Sequence, residues 1–201
     1  MRKATVPVVV VRPAVPADAR SIASVHVDAW RVAYAHIFKP GFFDQERLSI
    51  DHREDMWRDE LTALEPGRGV DVAEAGDEIV AFCAFGPARD EDIPGLGEIY
   101  AVYVAPKHWS RGAGRSLMET ARLTLLGQGF SDAVLWVLEA NAQARSFYER
   151  SGWAPDGATK TYEPGTVALR YRIALEGERP QTGEPGEPGE PGEPDVSGPG
   201  T

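Results

Sequence analysis

Residues 103–118 read YVAPKHWSRGAGRSLM. An apolar run stops at Pro106, a short basic stretch follows, two glycines stand one residue apart at Gly112 and Gly114, and helix-forming residues take over. The first amides of any helix lack intrahelical partners, and with the aligned peptide dipoles they make a site of about half a positive charge. Glycines at 112 and 114 take away the Cβ atoms that would hold a ligand off those amides, and Arg111 and Arg115 add charge. Alone, the stretch reads either as a cradle for a phosphate or pyrophosphate or as a tight strand-to-helix turn. It lacks the G-x-x-x-x-G-K-[ST] loop of nucleotide hydrolases. Leu117 stands where a dinucleotide fingerprint needs its third glycine.

Working outward, Gly97–Ala105 is apolar and β-rich, as a central strand requires. Ala113 to about Gly127 carries Leu117, Ala121 and Leu125 at helical spacing. Upstream, Val8–Arg12 reads as a strand. Pro16 to about Ile37 reads as a helix with Ile22, Val25, Ala29 and Val32 on one face, and Glu46–Leu64 as a second, more polar helix containing Trp57. Asp71–Ala75 and Glu78–Phe85 flank Gly76-Asp77, a two-residue hairpin turn. Downstream come a strand at Ala133–Leu138, a short helix at Asn141–Ser151, and strand-like runs at Thr159–Tyr162 and Val167–Ala174. Strands at both ends with helices between predict an α/β fold on a mixed sheet.

Composition narrows the function. The 201 residues are 42% hydrophobic and carry a formal charge of −10. That balance opposes nucleic-acid binding, which needs Lys/Arg patches. No apolar run reaches the ~18 residues of a membrane span, and the opening MRKATVPVVVVRP, cut by Arg12 and Pro13, reads as a first strand rather than a signal peptide. The single cysteine, Cys83, sits in an apolar run and is read as buried filler; it forbids an internal disulfide. His26, His36, His52 and His108 have no metal-binding spacing, so no metal is expected. From Gly183 to Pro194 the triplet Gly-Glu-Pro repeats four times. Residues 178–201 are therefore expected to form a disordered acidic tail behind a domain at 1–177. The chain is expected in the cytoplasm.

A second motif ranks the alternatives. Residues 135–153, LWVLEANAQARSFYERSGW, place Asn141-x-x-Ala144-x-x-Phe147-Tyr148-x-x-x-Gly152-Trp153 after a hydrophobic strand. This stretch resembles the GNAT superfamily of N-acetyltransferases, which use acetyl-coenzyme A. The glycine turn is similar to that family's pyrophosphate loop, Gln/Arg-x-x-Gly-x-Gly/Ala, with Trp109 in place of the first Gln/Arg. EIYAVYVAP, residues 98–106, and VHVDAWRVAY, residues 25–34, also resemble family segments, so the likeness spans roughly residues 8–175.

The resemblance implies a sheet splayed between Gly97–Ala105 and Ala133–Leu138, with acetyl-coenzyme A in the opening. It implies backbone contacts to the pantetheine arm near Tyr103 and Val104, and the pyrophosphate on the amides of Arg111, Gly112, Ala113, Gly114, Arg115 and Ser116. Tyr148 resembles the general acid that protonates the departing sulfur. Glu98 is the candidate base, acting through water. Asn141 both caps its helix and matches a cofactor contact; Arg145 either approaches the phosphates or lines a polar helix face. Trp30 and Tyr34, four apart on the first helix, line a substrate pocket or pack in the core. The expected reaction is direct transfer of acetyl to a primary amine of a small molecule or a protein amino terminus. The alternative is a noncatalytic acyl-coenzyme A sensor on the same fold. Dimers are frequent among such proteins, so a homodimer is admitted.

Overall fold

The computed structural model describes residues 9–39, 41–163 and 165–175; the tail expected at 178–201 and the strand start expected at Val8 lie outside them. Among the described residues seven strands form one sheet: β1 (Val9–Pro13), β2 (Gly69–Ala75), β3 (Glu78–Pro87), β4 (Gly97–Val104), β5 (Asp132–Leu138), β6 (Ala154–Glu163) and β7 (Thr166–Ala174), in the order β1-β2-β3-β4-β5-β7-β6. All neighbours are antiparallel except β4 and β5, which are parallel. The sheet is therefore mixed. Its first turn is the expected hairpin: Ala75 pairs with Glu78 around Gly76, whose φ of 67° suits a two-residue loop.

Among the described residues four α-helices cover the two faces. α1 (Ala19–Tyr34) and α2 (Ile50–Thr62) lie on one face, where Ile22, Ala23, Trp57 and Leu61 pack on Val70, Val72, Phe82 and Ala84. α3 (Ala113–Gly127) and α4 (Ala142–Arg150) lie on the other; Leu117, Ala121 and Leu125 are fully buried against Ala81, Cys83, Phe85 and Ile99. A fully buried leucine contributes roughly 1.5–3 kcal/mol, so this stripe fixes α3, and with it the glycine turn, against β4. Cys83 is buried in the same core. Burial pushes its thiol pKa up, as expected of filler.

Several bounds move for local reasons. Helix α2 starts at Ile50 rather than Glu46, because Ser49 accepts the His52 N–H at 3.2 Å and caps it there; residues 46–48 form a 3₁₀ turn instead. Val32, expected on the buried face of α1, is 51% exposed; at this end of the helix Ala29, Ala33 and Tyr34 take the inward face. Strand β6 begins at Ala154, five residues before the expected run. Pro155, Asp156 and Gly157 read as turn residues, yet they form an irregular stretch that interrupts pairing with β7 between Pro155 and Thr159.

The parallel pair at the centre positions the site. β4 meets β5 only through Gly97, Ile99 and the intervening residue 98, opposite Ala133, Val134 and Leu135. Immediately after, the β3–β4 register slips: Phe85 faces Ile99 but Ala84 faces Ala101, leaving Tyr100 as the extra residue. A bulge of this kind bends and twists its strand. From Tyr100 onward β4 leaves β5, and the two central strands open into a V.

Candidate active site

The V is a cleft of about 470 Å³, within the range of small-molecule sites. Tyr100, Tyr103 and Val104 line one arm, Leu135 and Trp136 the other, and Ala33 and Tyr34 of α1 close one side. Asn141, Phe147 and Tyr148, from the start and last turns of α4, close the opposite side. At the wide end stand Gly112, Ala113, Gly114 and Arg115.

That wide end is built for an anion. Gly112 sits before the first turn of α3 with φ of 95° and ψ of −17°, and no side chain caps the helix. The first hydrogen bond inside the helix is Ser116 N–H to the Gly112 carbonyl, so the preceding amides point to the cleft unpartnered by the helix. A Cβ on Gly114 would stand 3.2 Å from Val104 Cγ2 and 3.6 Å from Phe147 Cζ. The glycine thus lets strand, helix and α4 converge. Trp109 occupies the cleft rim and its indole N–H donates to the Val104 carbonyl at 2.7 Å, tying the loop to the end of β4.

Tyr148 is 9% exposed and packs with Phe147, Trp153 and Tyr171 at ring separations of 5.3–6.5 Å. Burial, first, and the neighbouring Tyr34 push its pKa well up, so its hydroxyl keeps its proton at neutral pH. Burial likewise raises Tyr34 and Tyr103. Asn141 accepts the Ala144 N–H on Oδ1 at 3.1 Å and so caps α4 while facing the cleft.

Five expected site residues stand elsewhere. Glu98 is 1% exposed and does not line the cleft. Its oxygens accept Arg89 N–H at 2.9 Å, Nε at 3.2 Å and Nη2 at 2.5 Å. A carboxylate paired in this way and buried off the cleft is poorly placed to take a proton from a substrate, because three of its four acceptor positions are engaged. Arg145 turns away, donating to the Tyr171 hydroxyl at 3.1 Å and the Glu139 carbonyl at 3.2 Å. Arg111 and Ser116 flank the turn without facing the cleft. Trp30 also lies outside it, edge-on to Tyr34 at 5.2 Å and beside Phe38 and Phe42. Conversely, Arg150, Gln143, Tyr100 and Trp136 line the cleft and were not read from the sequence. Alternation along β5 could have offered Trp136; the bulge that redirects Tyr100 leaves no composition signal. Among the described residues no group of three or more His, Cys, Asp or Glu could hold a metal, and no helix is long and apolar enough to cross a membrane.

The sequence model of the Acetyltransferase (GNAT) family matches residues 30–153, more than half of the chain. The chain belongs to the GNAT acetyltransferase family. Among curated relatives it is 37% identical over 136 residues to the uncharacterized N-acetyltransferase YuaI of Bacillus subtilis, covering 66% of this chain and 73% of that protein. It is 29% identical over 160 residues to a mycothiol acetyltransferase of Streptomyces griseus, covering 76% of this chain but 48% of that longer protein. Among solved structures, the PaiA N-acetyltransferase of Thermoplasma acidophilum, in complex with coenzyme A, superposes with a TM-score of 0.64. That likeness comes at 17% identity, over 81% of this chain and 98% of the other. An N-acetyltransferase of Staphylococcus aureus gives a TM-score of 0.63 at 16% identity, over 84% of this chain and 99% of the other. The splayed sheet of this chain is that family's fold.

Proposed function

We propose that this chain transfers the acetyl group of acetyl-coenzyme A to a primary amine, of a small molecule or a protein amino terminus, by direct attack on the thioester. The observation that carries this reading is the V between β4 and β5, with the free amides of α3 at its wide end and the protonated Tyr148 in its wall. The pyrophosphate would rest on the amides of Gly112–Arg115, with Arg115 and Arg150 as nearby charges. The pantetheine arm would run along the β4 edge near Tyr103 and Val104 that has no strand partner, toward the vertex at Tyr100 and Trp136.

At that vertex the amine nitrogen forms a bond to the acetyl carbon and the carbon–sulfur bond breaks. Tyr148 supplies a proton to the departing sulfur. Its pKa is raised, so it starts protonated. A thiolate leaves well even unaided, so the gain belongs at the lower end of the ~10²–10⁴ typical of general acids. The family membership and the N-acetyltransferase relatives support the reaction class; the cleft geometry supports the roles.

The test is acetyl-coenzyme A turnover, followed as free-thiol release, against a panel of primary amines. Acetylated product is expected with at least one class. Tyr148→Phe should lower turnover by about 10² while coenzyme A affinity by calorimetry stays nearly unchanged, since backbone amides hold the cofactor. Tight coenzyme A binding with no amine acetylated would instead leave a noncatalytic acyl-coenzyme A sensor.

A further inference from the structure

An amine attacks a thioester only through a free lone pair, so an ammonium acceptor must first lose a proton. The cleft offers little to take it. Among the described residues, its titratable side chains are four tyrosines (Tyr34 of α1, Tyr100 and Tyr103 of β4, Tyr148 of α4), two arginines (Arg115 of α3, Arg150 of α4) and His108, from the 3₁₀ turn after β4. None of the described carboxylates or lysines lines it, and β5 and α2 add no titratable group. Burial raises the pKa of all four tyrosines, so they hold protons and can donate. Arginine does not give up its proton in proteins.

Nearby groups that could serve are committed elsewhere. Beside the vertex, Asp90 accepts the Trp136 indole N–H at 2.7 Å and pairs with Lys160 at 3.8 Å and Arg170 at 3.5 Å, and the Lys160 ammonium covers the Trp136 ring at 3.8 Å. Glu98 is closed off by Arg89. His26 stacks behind Tyr103 at 4.8 Å and uses Nδ1 to accept the Trp57 N–H at 3.3 Å. His108 stands past Val104, toward the glycine turn, with Nε2 3.5 Å from Glu78. The acceptor would enter at the opposite, narrow end.

Resting on the acetyl-transfer reading above, we infer that the acceptor is an amine with a substantial free-base fraction near neutral pH, an α-amino group rather than a lysine-type alkylamine. A neutral amine needs no enzyme base to deprotonate it before it attacks. The N–C bond forms, the C–S bond breaks, Tyr148 gives its proton to sulfur, and the proton shed by the acylated nitrogen restores the Tyr148 hydroxyl. The products are a neutral amide and a neutral thiol. An α-amino group has a pKa of about 7.7–8.0 and a lysine amine about 10.4. At pH 7.5 their free-base fractions therefore differ by a few hundredfold.

The experiment measures kcat/KM from pH 6 to 10 for α-amino acid amides, a peptide with a free amino terminus, propylamine, and the same peptide blocked at its terminus and carrying one lysine. The α-amine profiles should inflect near the acceptor's own pKa, and the profiles of propylamine and the lysine peptide should still be rising at pH 10. At pH 7.5 the α-amines should lead by about a hundredfold or more. His108→Gln should leave each inflection where the acceptor puts it, whatever it does to the rate. One fixed inflection shared by all acceptors would reveal an enzyme base and overturn the inference, as would equal turnover of lysine-type and α-amines at pH 7. Either result leaves acetyl transfer standing. Coenzyme A binding with no acceptor turned over at any pH removes the acetyl-transfer reading, and this inference with it.

Discussion

Arg89 grips Glu98 through its backbone N–H and two guanidinium nitrogens, and its guanidinium carbon lies 4.3 Å from the Tyr100 ring centroid. The pair ties the loop before β4 to the strand just where the bulge begins, so its role is to hold the vertex of the cleft. Glu98→Gln keeps the shape but weakens the acceptor, and an under-satisfied buried group of this kind costs about 1–3 kcal/mol. Chemical denaturation should show that loss, while the shape of the pH–rate profile stays as in the wild type. A rate defect confined to low pH with unchanged stability would return the base role to Glu98. The sequence offered Glu98 as a strand-end carboxylate. It could not show Arg89, nine residues upstream in a loop without periodicity, nor Tyr171, 26 residues from Arg145, which draws that arginine away from the cleft. Tyr148, Asn141 and the glycines were legible because each lies within a motif of fixed local spacing.

At the scale of elements, the glycine turn carries two glycines for two different reasons. Gly114 lies in the first turn of α3, where space is short: the added methyl would press on Val104 at 3.2 Å. Alanine there gains about 0.8–1.0 kcal/mol of helix propensity, offsetting the crowding, so Gly114→Ala should leave stability near the wild-type value. Coenzyme A affinity should fall about tenfold, or roughly 1.4 kcal/mol, as the amides are pushed from the ligand. Gly112 has open space but a φ of 95°, which costs an L-residue of order 1–3 kcal/mol. Gly112→Ala should therefore lower the melting temperature as well as affinity. Calorimetry for coenzyme A and thermal unfolding on both variants separate the two effects; equal affinity in all three proteins would move the pyrophosphate elsewhere. Strand–turn–helix was legible here because apolar runs and glycines are local signals. The bulge at Tyr100, which opens the cleft, arises from pairing between β3 and β4 and has no such signal.

For the whole molecule, alternating apolar runs sufficed to foresee a mixed α/β sheet, but not that β7 inserts between β5 and β6. Strand order depends on which edges meet, which local patterns do not encode. The same long-range packing makes a pH-dependent element of His26. It is 7% exposed, surrounded by Trp30, Trp57, Phe82 and Tyr103 at ring separations of 4.8–5.9 Å, and its Nδ1 accepts from Trp57. Burial, with a smaller contribution from Arg53, lowers its pKa to about 3, against about 6.5 in an unfolded chain. A depressed pKa on a base means that the fold prefers the neutral ring. The stability this preference confers is complete above pH 6.5 and is lost as the unfolded chain takes up a proton that the folded one refuses. Between pH 6.5 and about 4.5, above the range of salt-bridged carboxylates such as Asp18, whose pKa Arg12 lowers, His26 should cost one proton's worth of stability. That is about 1.4 kcal/mol per pH unit. Asp71, raised by burial, acts in the opposite sense but is common to wild type and variant. Urea unfolding of wild type and His26→Gln at pH 7.5, 6.5 and 5.5 should give a lower but flatter curve for the variant. Parallel slopes would mean that the folded protein admits a proton at His26, and that the aromatic packing behind Tyr103 is looser than these contacts require.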